Sequence, residues 1–184
     1  MKFNVALAVA AMALSTSAQA AKTSLWAEAR TGVDSAGEAG DRNTGLLYGV
    51  AAGFDEKVTD QGFFGLAAGI AGSTIEDCSA GFCGKAGRDL EVLFRAGAYA
   101  GARTKVVLFG GYANGRYQAR IANVTYGFND DGWRIGTGVE RTISGNIYGK
   151  IEYRYTDYGK AKVNGTVIQA GDRHQGSISV GIRF

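Results

Sequence analysis

The chain has 184 residues, with 20 Lys and Arg against 17 Asp and Glu, one His, two Cys, 29 Gly and no Pro. Charge so nearly balanced, with no basic block, acidic tail or low-complexity tract, argues against nucleic acid as a partner. Abundant Gly without Pro suits packed strands and tight turns rather than disordered linkers, and the length fits one domain.

Residues 1–20 place Lys2 ahead of an apolar run from Val5 to Leu14, followed by Ala18-Gln19-Ala20. This is the layout of a cleaved secretory signal peptide. The run is too short for a spanning helix, which needs about 20 residues, and no Cys follows the cleavage point to accept a lipid. Residues 1–20 hold one Lys and no acid, so the expected mature domain, residues 21–184, carries 19 basic and 17 acidic residues.

Downstream, the most apolar stretch is GFFGLAAGIAG at 62–72, between Asp60 and Glu76. Its Gly65-xxx-Gly69 spacing mimics a helix-dimer motif, but the segment is too short to cross a bilayer as a helix. Period two divides the chain into eight runs: 24–33, 46–55, 62–75, 89–100, 105–121, 133–143, 147–157 and 174–184. Short connections (101–105, 144–146) alternate with long ones (34–45, 159–173). An even strand number with short turns at one end and long loops at the other predicts an all-β, eight-stranded antiparallel transmembrane up-and-down barrel.

The charges assign its faces. Leu90, Val92, Phe94, Ala96 and Ala98 alternate with a set containing Asp89, Glu91 and Arg95; Ile147, Ile151, Tyr153 and Tyr155 alternate with Lys150, Glu152 and Arg154. In lipid the first set of each run faces outward and the charges pair inside. A soluble barrel would reverse this, but the export signal favours lipid. So do aromatic residues near strand ends, read as an interfacial belt: Trp26, Phe54, Phe63, Phe64, Trp133, Tyr158 and Phe184. The last run adds a third reason. Ile178, Val180, Ile182 and Phe184 share one face of a strand that must pair with the first, because an open sheet edge in hydrocarbon leaves backbone groups unpaired.

The expected interior charges are Glu28, Arg30, Glu91, Arg95, Arg116, Arg120, Arg134, Glu140, Lys150, Glu152 and Arg154, with Gln118 beside them. Eight strands enclose only enough space for side chains, so these charges are expected to pair and seal the lumen. Cys78 and Cys83, in a long connection of an exported protein, are expected to form a disulfide; two thiols and the distant His174 make a poor metal set. No cofactor is expected. The one constellation with catalytic chemistry is His174 with Ser177 or Ser179 and Asp172. Both serines differ from His174 by an odd number of residues and so face the other side of a strand, which makes an enzyme the weaker reading. The sequon matches at Asn123 and Asn164 are taken as chance.

GWRIGTGVERTI at 132–143, IYGKIEYRYTDYGKAKV at 147–163 and the Phe-ended last strand resemble the C-terminal half of the small OmpA-like, porin-like outer-membrane barrels of alphaproteobacteria. That resemblance implies an outer-membrane location and a structural or surface-antigen role, with no catalytic residues to carry over. No periplasmic peptidoglycan-binding segment is expected after Phe184, so a cell-wall tether is not implied. Expected partners are outer-membrane lipid and lipopolysaccharide, and the barrel-assembly machinery, which would read Phe184, Ile182 and Val180. The alternatives are a small-solute channel, or an adhesin binding host or matrix components through its loops.

Overall fold

A computed structural model of the chain describes residues 23–38, 41–79, 82–121, 124–163, 166–169 and 171–184. The expected signal peptide, residues 1–20, and both sequon asparagines lie outside the described residues. Among the described residues eleven strands run in chain order: β1 (Thr23–Glu38), β2 (Asp41–Lys57), β3 (Gly62–Ser73), β4 (Glu76–Ser79), β5 (Phe82–Tyr99), β6 (Thr104–Ile121), β7 (Val124–Ser144), β8 (Ile147–Asp157), β9 (Lys160–Val163), β10 (Thr166–Gln169) and β11 (Asp172–Arg183).

Eight of them, β1, β2, β3, β5, β6, β7, β8 and β11, form a closed antiparallel ring in which each strand pairs with its neighbours along the chain. The ring shuts where β1 meets β11, in register from Trp26 opposite Arg183 to Gly37 opposite Asp172. Phe184 extends the seam: its N–H donates to the Leu25 carbonyl at 2.8 Å. Every long strand thus has a partner on both edges, the condition for a sheet to stand in hydrocarbon.

At one end the strands join through tight connections at 58–61, 100–103 and 145–146. In the last of these Gly145 adopts φ 51°, a left-handed conformation that side chains disfavour. At the other end the chain makes hairpins. β4 folds onto β5, β9 pairs with β10, and β6 and β7 continue to Ile121 opposite Val124. β8, at 11 residues, matches the roughly 9–11 a tilted strand needs to span a bilayer, whereas β7 has 21 and so projects well past it.

These extensions correct the two long connections expected from sequence and the stretch left between the runs ending at 121 and starting at 133. Residues 34–38 and 41–45 belong to strands β1 and β2, residues 124–131 open β7, and 159–173 contains the β9–β10 hairpin. Outside the membrane nothing forces one strand face to be apolar, so period two fades there while backbone pairing continues. Residues 124–129 are exposed on both parities, but from Trp133 to Glu140 every odd position is exposed and every even one buried.

The outward face is a band of Leu, Val, Ile and aromatic side chains, including Val50, Leu108, Ile135, Ile151 (68% exposed) and Val180. Rings gather toward both ends. Phe64 stacks on Phe94 at 6.4 Å between centroids, and Trp133 lies 5.5 Å from Tyr155, with Tyr155 in turn 5.1 Å from His174. Trp26, Phe63 and Tyr158, expected in this belt, are instead buried inside the barrel. A ring with a negative face is as well suited to a cationic interior as to a headgroup layer: the Arg95 guanidinium sits 4.3 Å from the Trp26 centroid and the Lys105 ammonium 4.8 Å from that of Phe63.

Candidate functional site

The barrel interior is built from two unlike walls. β2 and β3 supply mainly small or apolar inward residues, Leu47, Ala51, Phe63, Ala67 and Ala71. β5, β7, β8 and β11 face them with long charged side chains, and the small wall leaves the room those chains need. Gly69 shows how closely: a Cβ there would lie 2.7 Å from Glu91 Oε1.

Glu91 is the hub. Its carboxylate accepts from Arg30 at 2.6 Å, Arg134 at 2.5 Å and Arg154 at 2.8 Å. From Arg154 the network descends through Glu152 (2.6 Å) and Lys150 (2.9 Å) to Glu28 (2.6 Å), which also accepts from the Tyr148 hydroxyl at 2.9 Å. From Arg134 it rises to Asp89 (2.6 Å), then to Arg173 (3.5 Å) and Asp34, onto which Gln175 also donates at 3.3 Å. Arg30, Arg134, Lys150, Arg154 and Arg173 thus face Glu28, Asp34, Asp89, Glu91 and Glu152, five charges of each sign in one connected column.

A second cluster lies toward the short-turn end. Lys105 reaches Asp55 at 3.1 Å and Glu140 at 3.7 Å, Arg95 reaches the same two carboxylates at 3.2 and 3.5 Å, and Arg183 closes onto Glu140. Between the two, Trp26, Leu93, Val107 and Phe109 form an apolar plug. The space left among Trp26, Glu28, Leu93, Phe109, Lys150 and Arg154 is about 10 Å³, the size of one water site.

Of the charges expected inside, Glu28, Arg30, Glu91, Arg95, Arg134, Glu140, Lys150, Glu152 and Arg154 are buried in the lumen. Arg116 and Arg120 are not: both are exposed on the outward parity of β6, with Gln118 between them. On that strand the inward parity is Lys105, Val107, Phe109, Ala113 and Gly115, and no bulge in the β6–β7 pairing resets it. Sequence reading also missed Asp34, Asp55, Lys105, Arg173 and Arg183 as lumen charges, while Asp89, placed on the inward parity of its run, is buried there. Asp34 shares parity with Glu28 and could have been found by carrying the alternation past the expected end of the first run.

Cys78 and Cys83 stand opposite each other in the β4–β5 hairpin and are joined by a disulfide, with S–S 2.07 Å. Glu76 lies close by, but the bond leaves neither thiolate free to ligate a metal. Val180, Ile182 and Phe184 are exposed on the outward face of the closing seam. His174 also faces outward, hydrogen-bonded to the Tyr153 hydroxyl at 2.5 Å and 3.6 Å from Asp172, while Ser177 and Ser179 are buried in the lumen.

A closed ring of eight strands with an apolar exterior and a charged, filled interior is the reverse of a soluble barrel. A family model described as the outer membrane protein beta-barrel domain matches residues 5–184. The chain belongs to that family. It is an outer-membrane barrel, with the hairpin-bearing end outermost. The 25 kDa outer-membrane immunogenic protein of Brucella melitensis is 36% identical over 56 residues, 29% of this barrel's chain, and the match spans about a quarter (26%) of that relative's length. Among solved structures, Neisserial surface protein A is similar with TM-score 0.65 at 17% identity, over 87% of this chain and 97% of that one. Ail, the attachment invasion locus protein of Yersinia pestis, is similar with TM-score 0.62 at 12% identity, over 89% and 99%. Likeness at those identities is likeness of fold.

Proposed function

We propose that this outer-membrane barrel is a sealed structural element of the envelope that presents surface hairpins, and neither conducts solutes nor catalyses a reaction. The observation carrying the reading is the ion-pair column from Glu28 to Asp34, continued by the Asp55–Glu140 cluster, which leaves only about 10 Å³ among its central side chains. Opening a water path would break several buried pairs at once, and each lost partner leaves an uncompensated charge. The test is planar-bilayer recording on the purified barrel. The expected trace shows no stable step, and a steady conductance of nanosiemens size would overturn the reading.

The separation of outward His174 from inward Ser177 and Ser179 supports the non-enzymatic part. Lipid A mass spectra from cells with and without the protein should match. Val180, Ile182 and Phe184, outward on the last strand, form the signal we assign to the barrel-assembly machinery. Phe184→Ala should slow assembly in cells while leaving refolding in detergent unchanged.

Adhesion is the second reading, favoured by the β6–β7 hairpin, whose residues 124–129 are exposed on both faces. Shortening that hairpin by residues 118–127 tests it; unchanged attachment to host cells or matrix would remove adhesion.

A further inference from the structure

Among the described residues the wall parts at one place on its lipid-facing side. β3 stays paired with β5 only up to Ala71 opposite Asp89. Beyond it, Thr74 turns back to the Leu46 carbonyl at 3.0 Å, and β5 slips register against β6 between Ala86 and Asp89. The parting leaves a groove of about 490 Å³. Its floor is apolar: Tyr48, Val50 and Ile70 all face lipid, and the Tyr48 ring lies flat across Gly72, where a Cβ would come within 2.7 Å of it. Its rim at the outer end carries Lys85, Arg88 and Gln118. Both cations are exposed, and among the described residues neither has an ion pair, although Glu76 stands opposite Lys85 in the β4–β5 register.

We propose that this groove binds a phosphate-bearing, multi-acyl glycolipid of the outer leaflet, with an acyl chain along Tyr48, Val50 and Ile70 and a phosphate between Lys85 and Arg88. The inference rests on the outward orientation of the hairpin-bearing end. Charge complementarity selects the occupant. An apolar trough alone would suit any lipid tail, but two unpaired cations at its outer lip, where headgroups begin, select an anionic head on an apolar tail. The parting is what builds the site: continuous β3–β5 pairing beyond Ala71 and Asp89 would close the trough. Two residues expected in the lumen, Gln118 and its neighbour Arg116, gain a role here, since the outward parity of β6 lines or borders the same lip.

The test is native mass spectrometry of the whole folded barrel in detergent, incubated with bisphosphorylated lipid A or with the same lipid stripped of its phosphates. The wild type is expected to carry one phosphorylated lipid per barrel and to retain the stripped lipid roughly tenfold less, as fits two cations near an anionic surface. Lys85→Gln/Arg88→Gln should lower retention of the phosphorylated lipid to the stripped level, while Arg141→Gln, exposed at the opposite end of β7, should not. Heat-modifiable migration checks that each variant is folded. Equal retention of both lipids by the wild type, or undiminished retention by the double variant, overturns the proposal, and the comparison of lipids needs no variant at all.

Discussion

Arg134 on β7 and Glu91 on β5 meet across the barrel interior at 2.5 Å, and neither side chain is more than 1% exposed. The strand between them, β6, contributes no charge at this level, so the contact bridges two walls that the sheet itself does not pair directly. Because Arg30 and Arg154 share the same carboxylate, Glu91→Gln takes a charge partner from three guanidinium groups at once: Arg134 keeps Asp89 and Arg154 keeps Glu152, while Arg30 has no other carboxylate among the described residues. The expected loss is about 3–5 kcal/mol of stability, the cost of breaking a buried pair from one side. Urea titration followed by the shift in gel mobility between folded and unfolded forms measures it; a loss below about 1 kcal/mol would show that the network is not a tie between walls.

Gly69 tests the small wall. Gly69→Ala pushes on the Glu91 carboxylate and should cost roughly 1–3 kcal/mol, as overpacking does. Gly110→Ala is the control: its nearest neighbour would be the Arg134 carbonyl at 3.4 Å, an ordinary contact, and its stability should stay much closer to wild type.

Ile151, near the middle of the outward face of β8, tests which face meets lipid. Ile151→Lys should destabilise the barrel in bilayers by about 2–4 kcal/mol. Tyr126→Lys, on the projecting hairpin, should cost almost nothing. Equal effects would mean that the apolar band does not face lipid.

The Cys78–Cys83 link closes a separation of only five residues at the tip of the β4–β5 hairpin. Reduction should leave barrel migration unchanged and make the chain cleavable by trypsin at Lys85 or Arg88. Non-reducing peptide mapping should recover the two cysteines as one linked fragment, and two free thiols would contradict this.

How much of this was legible from residues alone varies by strand. β5 and β8 announce themselves because one parity is aliphatic or aromatic and the other carries Glu91 and Arg95, or Lys150, Glu152 and Arg154. β6 does not. From Val106 to Ala113 both of its parities are apolar or small, since its inward residues Val107 and Phe109 form the plug. Its readable charges, Arg116 and Arg120, lie beyond the lumen, where alternation no longer reports on the inside. Trp26, Phe63 and Tyr158 misled for a related reason: a ring suits the headgroup layer and a cation-rich core alike. The parting between β3 and β5 left no signature except Gly87, one glycine among many, so the lipid groove needed coordinates to be seen.

The seam between β1 and β11 joins Trp26 to Arg183 and therefore the two most distant strands of the ring. Loop-closure entropy must be overcome before that contact returns any energy, which makes such a topology slow to form. The same geometry works in reverse: no strand can peel away while both of its edges are held, so opening at any seam exposes unpaired backbone to hydrocarbon. Once shut, the molecule should persist through kinetics as much as through equilibrium, outlasting in the cell the event that assembled it.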